Sequence, residues 1–129
     1  MTANTFNEFK FFSSTSTKDL EEKINKFLDE NSGRIKITKR TMAIVSWGKP
    51  RTWDPVIQMV ICYKKQKVSS KEMVRVVQFE QADATKRCED YSREISSGDA
   101  QIADLLFSSC IADVQYSYVS CVLAVFLKI

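Results

Sequence analysis

The chain contains no histidine, only three glycines and two prolines, and no two cysteines at Cys-x-x-Cys spacing. Without histidine, a Ser-His-Asp or Cys-His catalytic arrangement and a His-ligated zinc site are excluded. The cysteine spacing does not match a zinc ribbon or a thioredoxin-like motif, and three isolated glycines cannot form a G-x-G-x-x-G or P-loop phosphate site. We therefore expect neither a bound metal nor a cofactor.

Long apolar runs are also missing. The longest, Val122 to Leu127, is far shorter than the roughly 20 residues that a membrane-spanning helix needs. The first residues show no basic region followed by an apolar core, so no secretory signal is expected. The four cysteines lie among apolar neighbours, which is typical of small buried side chains in a reducing compartment, with an extracellular disulfide framework as the alternative. The sequence predicts a cytoplasmic protein that does not enter a membrane.

The first half of this 129-residue, 44% hydrophobic chain has the pattern of a strand, a helix and two further strands. Phe9–Phe12 is short and aromatic, as strands often are. Ser16–Asp19 has the capping-box pattern that precedes a helix, and Gly33 suits the left-handed turn that ends one. A period of two over 34–47 and again over 56–63 predicts a hairpin. The helix is indicated by an apolar stripe at Leu20, Ile24, Phe27 and Leu28.

The second half repeats the same order of patterns. Residues 74–79 predict a strand, and Asp83 is the expected N-cap of a second helix. The segments 102–111 and 114–127 complete a second strand pair, although the apolar spacing within 99–107 also fits a helical turn. The second helix is indicated by a stripe that lies 64 residues after the first, at Ala84, Cys88, Tyr91 and Ile95.

These patterns predict a single α+β domain of two βαββ halves, about residues 8–65 and 73–129. We expect a mainly antiparallel sheet with the helices packed on one face. The last strand is apolar on both faces, so both faces must be covered. Either the sheet curls into a barrel-like shape or a second copy of the chain packs on it, and we expect a homo-oligomer, most simply a dimer.

Charge is distributed unevenly along the chain. Residues 1–67 carry 13 Lys and Arg against 7 Asp and Glu, whereas residues 68–129 carry 6 against 9. Between Asn31 and Lys71 there are ten cations, and Asp54 is the one acid among them. A solvated sheet edge explains part of this run, since lysines there prevent aggregation. The scarcity of acids also allows a basic face, residues 34–71, that binds nucleic acid.

Two tryptophans bracket two cations in the loop of the first hairpin. Trp47 and Trp53 could stack on a planar base, while Lys49 and Arg51 neutralise a phosphate. Either tryptophan could instead cap the core. The predicted ligand-binding residues are Arg34, Lys36, Trp47, Lys49, Arg51 and Trp53.

We therefore predict a non-catalytic binding module that captures an anionic, nucleotide-like ligand. The alternatives are nucleic-acid binding along the basic face, or a protein-interaction or inhibitor module anchored by Trp53. No enzyme activity is expected, because the paired carboxylates, Glu21-Glu22 and Glu89-Asp90, fall on the polar faces of the two helices.

The first half also resembles a known family. Residues 8–65 are similar to the small βαββ domain of short bacterial sporulation-associated proteins. The resemblance implies the βαββ fold and a bacterial or phage source, and it implies no defined activity or site residue. It is carried by the Lys10-Phe11-Phe12 strand, the helix 18–28, the Arg34-Ile35-Lys36-Ile37 strand and the Ile61-Cys62-Tyr63 strand.

Overall fold

The computed structural model describes residues 6–45, 56–98, 101–113 and 118–129. These ranges contain an α+β fold, as predicted, and neither described helix is long and apolar enough to cross a bilayer. The elements are β1 (Glu8–Ser14), α1 (Thr17–Glu30), β2 (Ile35–Val45), β3 (Val56–Lys65), β4 (Glu72–Gln81), α2 (Ala84–Ser96), β5 (Gln101–Asp113) and β6 (Tyr118–Lys128).

The strands form two separate three-stranded antiparallel sheets, not the single sheet that we expected. Sheet A has the order β1-β3-β2, and sheet B has the order β4-β6-β5. Each half of the chain thus runs strand, helix, strand, strand, and places its third strand in the middle of its sheet. Both sheets are open, so the expected barrel-like closure is wrong.

Helix α1 begins and ends where its sequence indicates. The Ser16 hydroxyl accepts a hydrogen bond from the Asp19 amide at 3.2 Å, which satisfies one free donor of the first turn. At the other end, the Asn31 side chain donates to the Phe27 carbonyl at 2.8 Å, and Gly33 takes a φ of +76°. All four residues of the predicted apolar stripe are buried.

Helix α2 matches its prediction less closely. Asp83 is the N-cap residue, as predicted, but its side chain makes no capping hydrogen bond. The backbone at Asp83 has φ −96° and ψ 11°, outside the extended conformation that most N-cap residues adopt. Ala84 and Cys88 are buried, whereas Tyr91 and Ile95 are half-buried. The ambiguous segment that follows is a strand from Gln101 onward.

Strand β6 is covered on both faces within one chain. Val122, Ala124 and Phe126 pack in a core cluster that also contains α1 and the inner face of sheet A. The residues that alternate with them pack with α2; these are Cys121, Leu123, Val125 and Leu127. The two halves stack on each other, so sheet B lies between α2 and the first half. This stacking removes the reason for expecting a dimer, and the homo-oligomer stays a prediction.

Polar side chains of α1 cover the edge of sheet B. Asn25 accepts a hydrogen bond from the Val74 amide at 2.8 Å and donates to the Val74 carbonyl at 3.0 Å. Glu21 accepts from the Val76 amide at 2.8 Å. Because β4 is an edge strand, these bonds satisfy backbone groups that would otherwise be open to pairing with another chain.

One arginine joins the two sheets. Arg40 of β2 forms salt bridges with Glu72 of β4 and, at 3.4 Å, with Asp104 of β5. Its guanidinium lies 4.7 Å from the ring centroid of Phe126. The Arg40 side chain is only 11% exposed, so both carboxylates and the ring stabilise a largely desolvated charge.

Replacing Asn25 with alanine should destabilise the protein, because the Val74 amide and carbonyl would both lose their partner in a half-buried position. We expect a loss of about 1–3 kcal/mol in the free energy of unfolding, measured by urea denaturation. The matched control is Glu22→Ala, an exposed position on the same helix, which should change stability by less than about 0.5 kcal/mol. Equal values for the two variants would contradict the edge-covering role.

Candidate functional site

A basic cleft of about 310 Å³ opens where the two halves meet. Four cations from three parts of the chain line it: Lys36 and Arg40 from β2, Lys71 from the segment before β4, and Lys128 from the end of β6. Glu72 is the one carboxylate among the lining residues described. We call this site the basic cleft.

Backbone hydrogen bonds hold the walls of the basic cleft together. The turn after α1 is bound to the segment between β3 and β4, because the Val68 amide donates to the Gly33 carbonyl at 3.1 Å. The Ile129 amide donates to the Lys71 carbonyl at 2.9 Å, which holds the chain after β6 against the same segment. Segments far apart in sequence therefore present their cations to a common space.

Two of the four cations are already paired. Arg40 is neutralised by Glu72, and Lys71 lies 3.2 Å from Asp29 in an exposed pair. Within the described ranges, Lys36 and Lys128 have no carboxylate within salt-bridge distance. The Nε of Arg40 is shielded from solvent and has no acceptor in the described part of the chain. Positive charge and an unused buried donor thus coincide in one cleft.

The six residues predicted from sequence are only partly placed by the structure. Lys36 lines the basic cleft, whereas Arg34 is exposed and does not line it. Val45 is the last described residue before the loop, and it lies about 30 Å from Lys36 along β2. The joint action of the six residues stays a prediction, because Trp47, Lys49, Arg51 and Trp53 lie outside the described residues.

Sequence reasoning missed Lys128 entirely. It lies near the end of the acidic half of the chain, with no other cation closer than Arg93. Arg40 and Lys71 were visible as members of the basic run, but no local signal distinguished them from their neighbours. The antiparallel pairing of β4 with β6 places Lys128 opposite Glu72. This pairing brings Lys128 to the end of sheet B where Arg40 and Lys71 also line the cleft.

A second surface feature is the outer face of sheet A, which points away from α1. Phe9 and Phe11 on β1 lie on this face and are 58% and 71% exposed. Val60 and Cys62 on β3 are their cross-strand neighbours. This face belongs to the same half of the chain as the basic run.

Cys88 and Cys110 are not suited to nucleophilic chemistry. All four cysteines are free thiols, and Cys88 and Cys121 are buried between α2 and sheet B. Burial, reinforced by the nearby Cys121, raises the pKa of the Cys88 thiol to about 11. Burial also raises the pKa of Cys110. Both thiols are protonated at neutral pH and are weak nucleophiles there. Among the described side chains, no group of three or more Cys, Asp and Glu is arranged to hold a metal ion.

Comparison with known proteins found no matching family model, no matching curated protein and no matching solved structure.

The raised pKa of Cys88 should make stability depend on pH in the alkaline range. The unfolded thiol titrates near its ordinary value of 9.0, whereas the folded one titrates near 11. The unfolded state therefore loses its proton first, and stability should fall as pH rises from 9 to 11. Urea denaturation across this range should show a smaller decline for Cys88→Ala than for the wild type.

The control is Cys62→Ala, which removes a half-buried thiol from the other sheet and leaves Cys88 in place. A Cys88→Ala variant whose stability declined as steeply as that of the wild type would contradict the shifted pKa.

Proposed function

We propose that this protein is a non-catalytic binding module that captures an anionic, phosphate-bearing ligand in the basic cleft. The observation that carries the proposal is the convergence of Lys36 and Lys128 on one cleft, with no carboxylate paired to either among the described residues. Two lysines without partners in a concave site repel each other, and a bound anion would relieve that repulsion.

The surroundings of the lysines support an anion of limited size. Ser32 and Ser70 also line the cleft and could donate hydrogen bonds to phosphate oxygens. The volume of about 310 Å³ is at the lower end of the range for small-molecule sites. No aromatic side chain is among the described lining residues, so a base stacked in this cleft would need a residue from outside the described ranges.

The proposal extends to the organisation of the chain. We interpret the common strand order of the halves as a tandem βαββ arrangement, in which the first half supplies Lys36 and Arg40, the segment between the halves supplies Lys71, and the second half supplies Lys128. The cytoplasm is the proposed location. The inhibitor alternative depends on Trp53, which lies outside the described residues, and no described feature favours it.

Differential scanning fluorimetry with pyrophosphate, ATP and cyclic mononucleotides tests the proposal. A ligand at one hundred times its Kd stabilises the folded state by about 2.7 kcal/mol, which corresponds to a Tm increase of roughly 8 °C for a chain of this size. Lys36→Ala and Lys128→Ala should each reduce the affinity roughly tenfold or more, because each removes a charge-assisted hydrogen bond.

Lys86→Ala is the matched control, since it removes the same charge from an exposed position on α2, away from the cleft. It should leave the affinity within about twofold of the wild-type value. If all three substitutions weakened anion binding equally, the effect would be a general one of charge and the cleft would not be the site. If none of these anions raised the Tm, the proposal would be refuted.

A further inference from the structure

The outer face of sheet A exposes two aromatic rings that the fold does not use. Phe9 and Phe11 alternate with core-side residues along β1, and the next residue, Phe12, is only 7% exposed. Phe11 lies opposite Val60, and Phe9 lies opposite Cys62. The rings therefore extend a patch onto the middle strand, and contiguous apolar patches of this kind mark interaction surfaces.

Cations lie on the same face as this patch. Lys39 on β2 lies opposite Cys62, across the middle strand from Phe9, and Lys64 lies opposite Lys36 at the end of the same face. Among the described residues, the outer face carries no Asp or Glu.

Further cations lie on the other side of β1. A groove of about 380 Å³ between β1 and α1 is lined by Phe11 and by three cations, Lys10, Lys23 and Lys26, with Glu30 as the one carboxylate among its described lining residues. Lys23 is paired with Asp19 at 3.0 Å, and Lys10 and Lys26 have no carboxylate within salt-bridge distance in the ranges described. Phe11 thus has positive charge on both sides.

A second copy of the chain is a poor occupant for this face. In a symmetric dimer the same surface meets itself, so the lysines of one copy would approach those of the other. Such like-charge contacts oppose association, and the face offers no acid to balance them. The charge instead complements a polyanion with exposed planar groups.

We propose that the outer face of sheet A binds single-stranded nucleic acid, with bases stacked on Phe9 and Phe11 and phosphates held by Lys39 and Lys64. Residues two apart on a strand are about 6.6 Å apart, which leaves room for one base on each ring. Stacking requires free base faces, which a duplex hides and a single strand presents. None of these four residues lines the basic cleft, so the proposed binding does not depend on the anion site.

Fluorescence anisotropy with fluorescein-labelled dT12 tests the site directly. Phe9→Ala and Phe11→Ala should each weaken binding by about 5- to 100-fold, because each removes one stacking surface. Both positions are exposed, so circular dichroism should show an unchanged fold. Phe11→Tyr should restore most of the affinity, since it keeps an aromatic face.

Phe107→Ala is the matched control. Phe107 is 46% exposed on β5 of sheet B, outside the outer face of sheet A. This variant should bind dT12 as the wild type does. Lys128→Ala, which affects the basic cleft alone, should also leave dT12 binding unchanged and thereby separates the two sites.

Salt titration separates the roles of the rings and the lysines. Each phosphate contact with a single strand contributes about 0.7 to the slope of log affinity against log salt concentration. The double variant Lys39→Ala and Lys64→Ala should therefore lower the slope by about 1.4, whereas the phenylalanine variants should lower affinity without changing the slope.

Several results would overturn the proposal. They are an absence of dT12 binding at micromolar protein in 50 mM salt, equal binding of a 12-base-pair duplex, and equal weakening by Phe107→Ala or Lys128→Ala. Light scattering that detects a wild-type dimer and a Phe11→Ala monomer would assign the face to self-association instead. Loss of ATP or pyrophosphate binding alone would count against the basic cleft and leave this proposal standing.

Discussion

Sheet B is apolar on both of its faces, and this constraint determines how the two halves of the chain assemble. Along β6 every residue from Ser120 to Leu127 is buried. Helix α2 covers one face only, so the other must be removed from water by something else. The first half supplies that cover with α1 and the inner face of sheet A. A shared core of this kind explains why the strands form two stacked open sheets and not one continuous sheet.

Polar contacts then fix the relative orientation of the two halves, which apolar burial alone does not specify. Burial is non-directional, whereas the hydrogen bonds of Asn25 and Glu21 to the edge of β4 specify one register between helix and strand. Arg40 acts in the same way between β2 and the two edge strands of sheet B. Both sets of contacts are made between the halves, so they stabilise the stacked arrangement and not either half alone. The basic cleft lies beside Arg40 and depends on the same junction.

Positive charge is carried in different forms by two surfaces, the basic cleft between the halves and the outer face of sheet A. The basic cleft is concave, and its described lining contains no aromatic side chain, which favours a compact anion. The outer face of sheet A is open and carries exposed phenylalanines, which favours an extended polyanion with planar groups. Lys36 lies at the border between them. The basic run seen in the sequence is therefore divided by the sheet, because alternate residues of β2 point to opposite sides.

The sequence by itself determined the local elements. Ser16, Gly33 and the four-residue stripe of α1 act as predicted, because capping, left-handed turns and amphipathic burial depend on residues close together in the chain. The β2–β3 hairpin was predictable for the same reason, since its period-two pattern lies in two neighbouring segments of the chain. The tertiary structure alone decided what Glu21, Asn25, Arg40 and Lys128 do. On the sequence, Glu21 looks like a solvated helix residue and Lys128 like a stray terminal cation. The Val76 amide that binds Glu21 is 55 residues away, and Lys128 shares its cleft with residues from distant segments, so no periodic signal in the chain reveals either role.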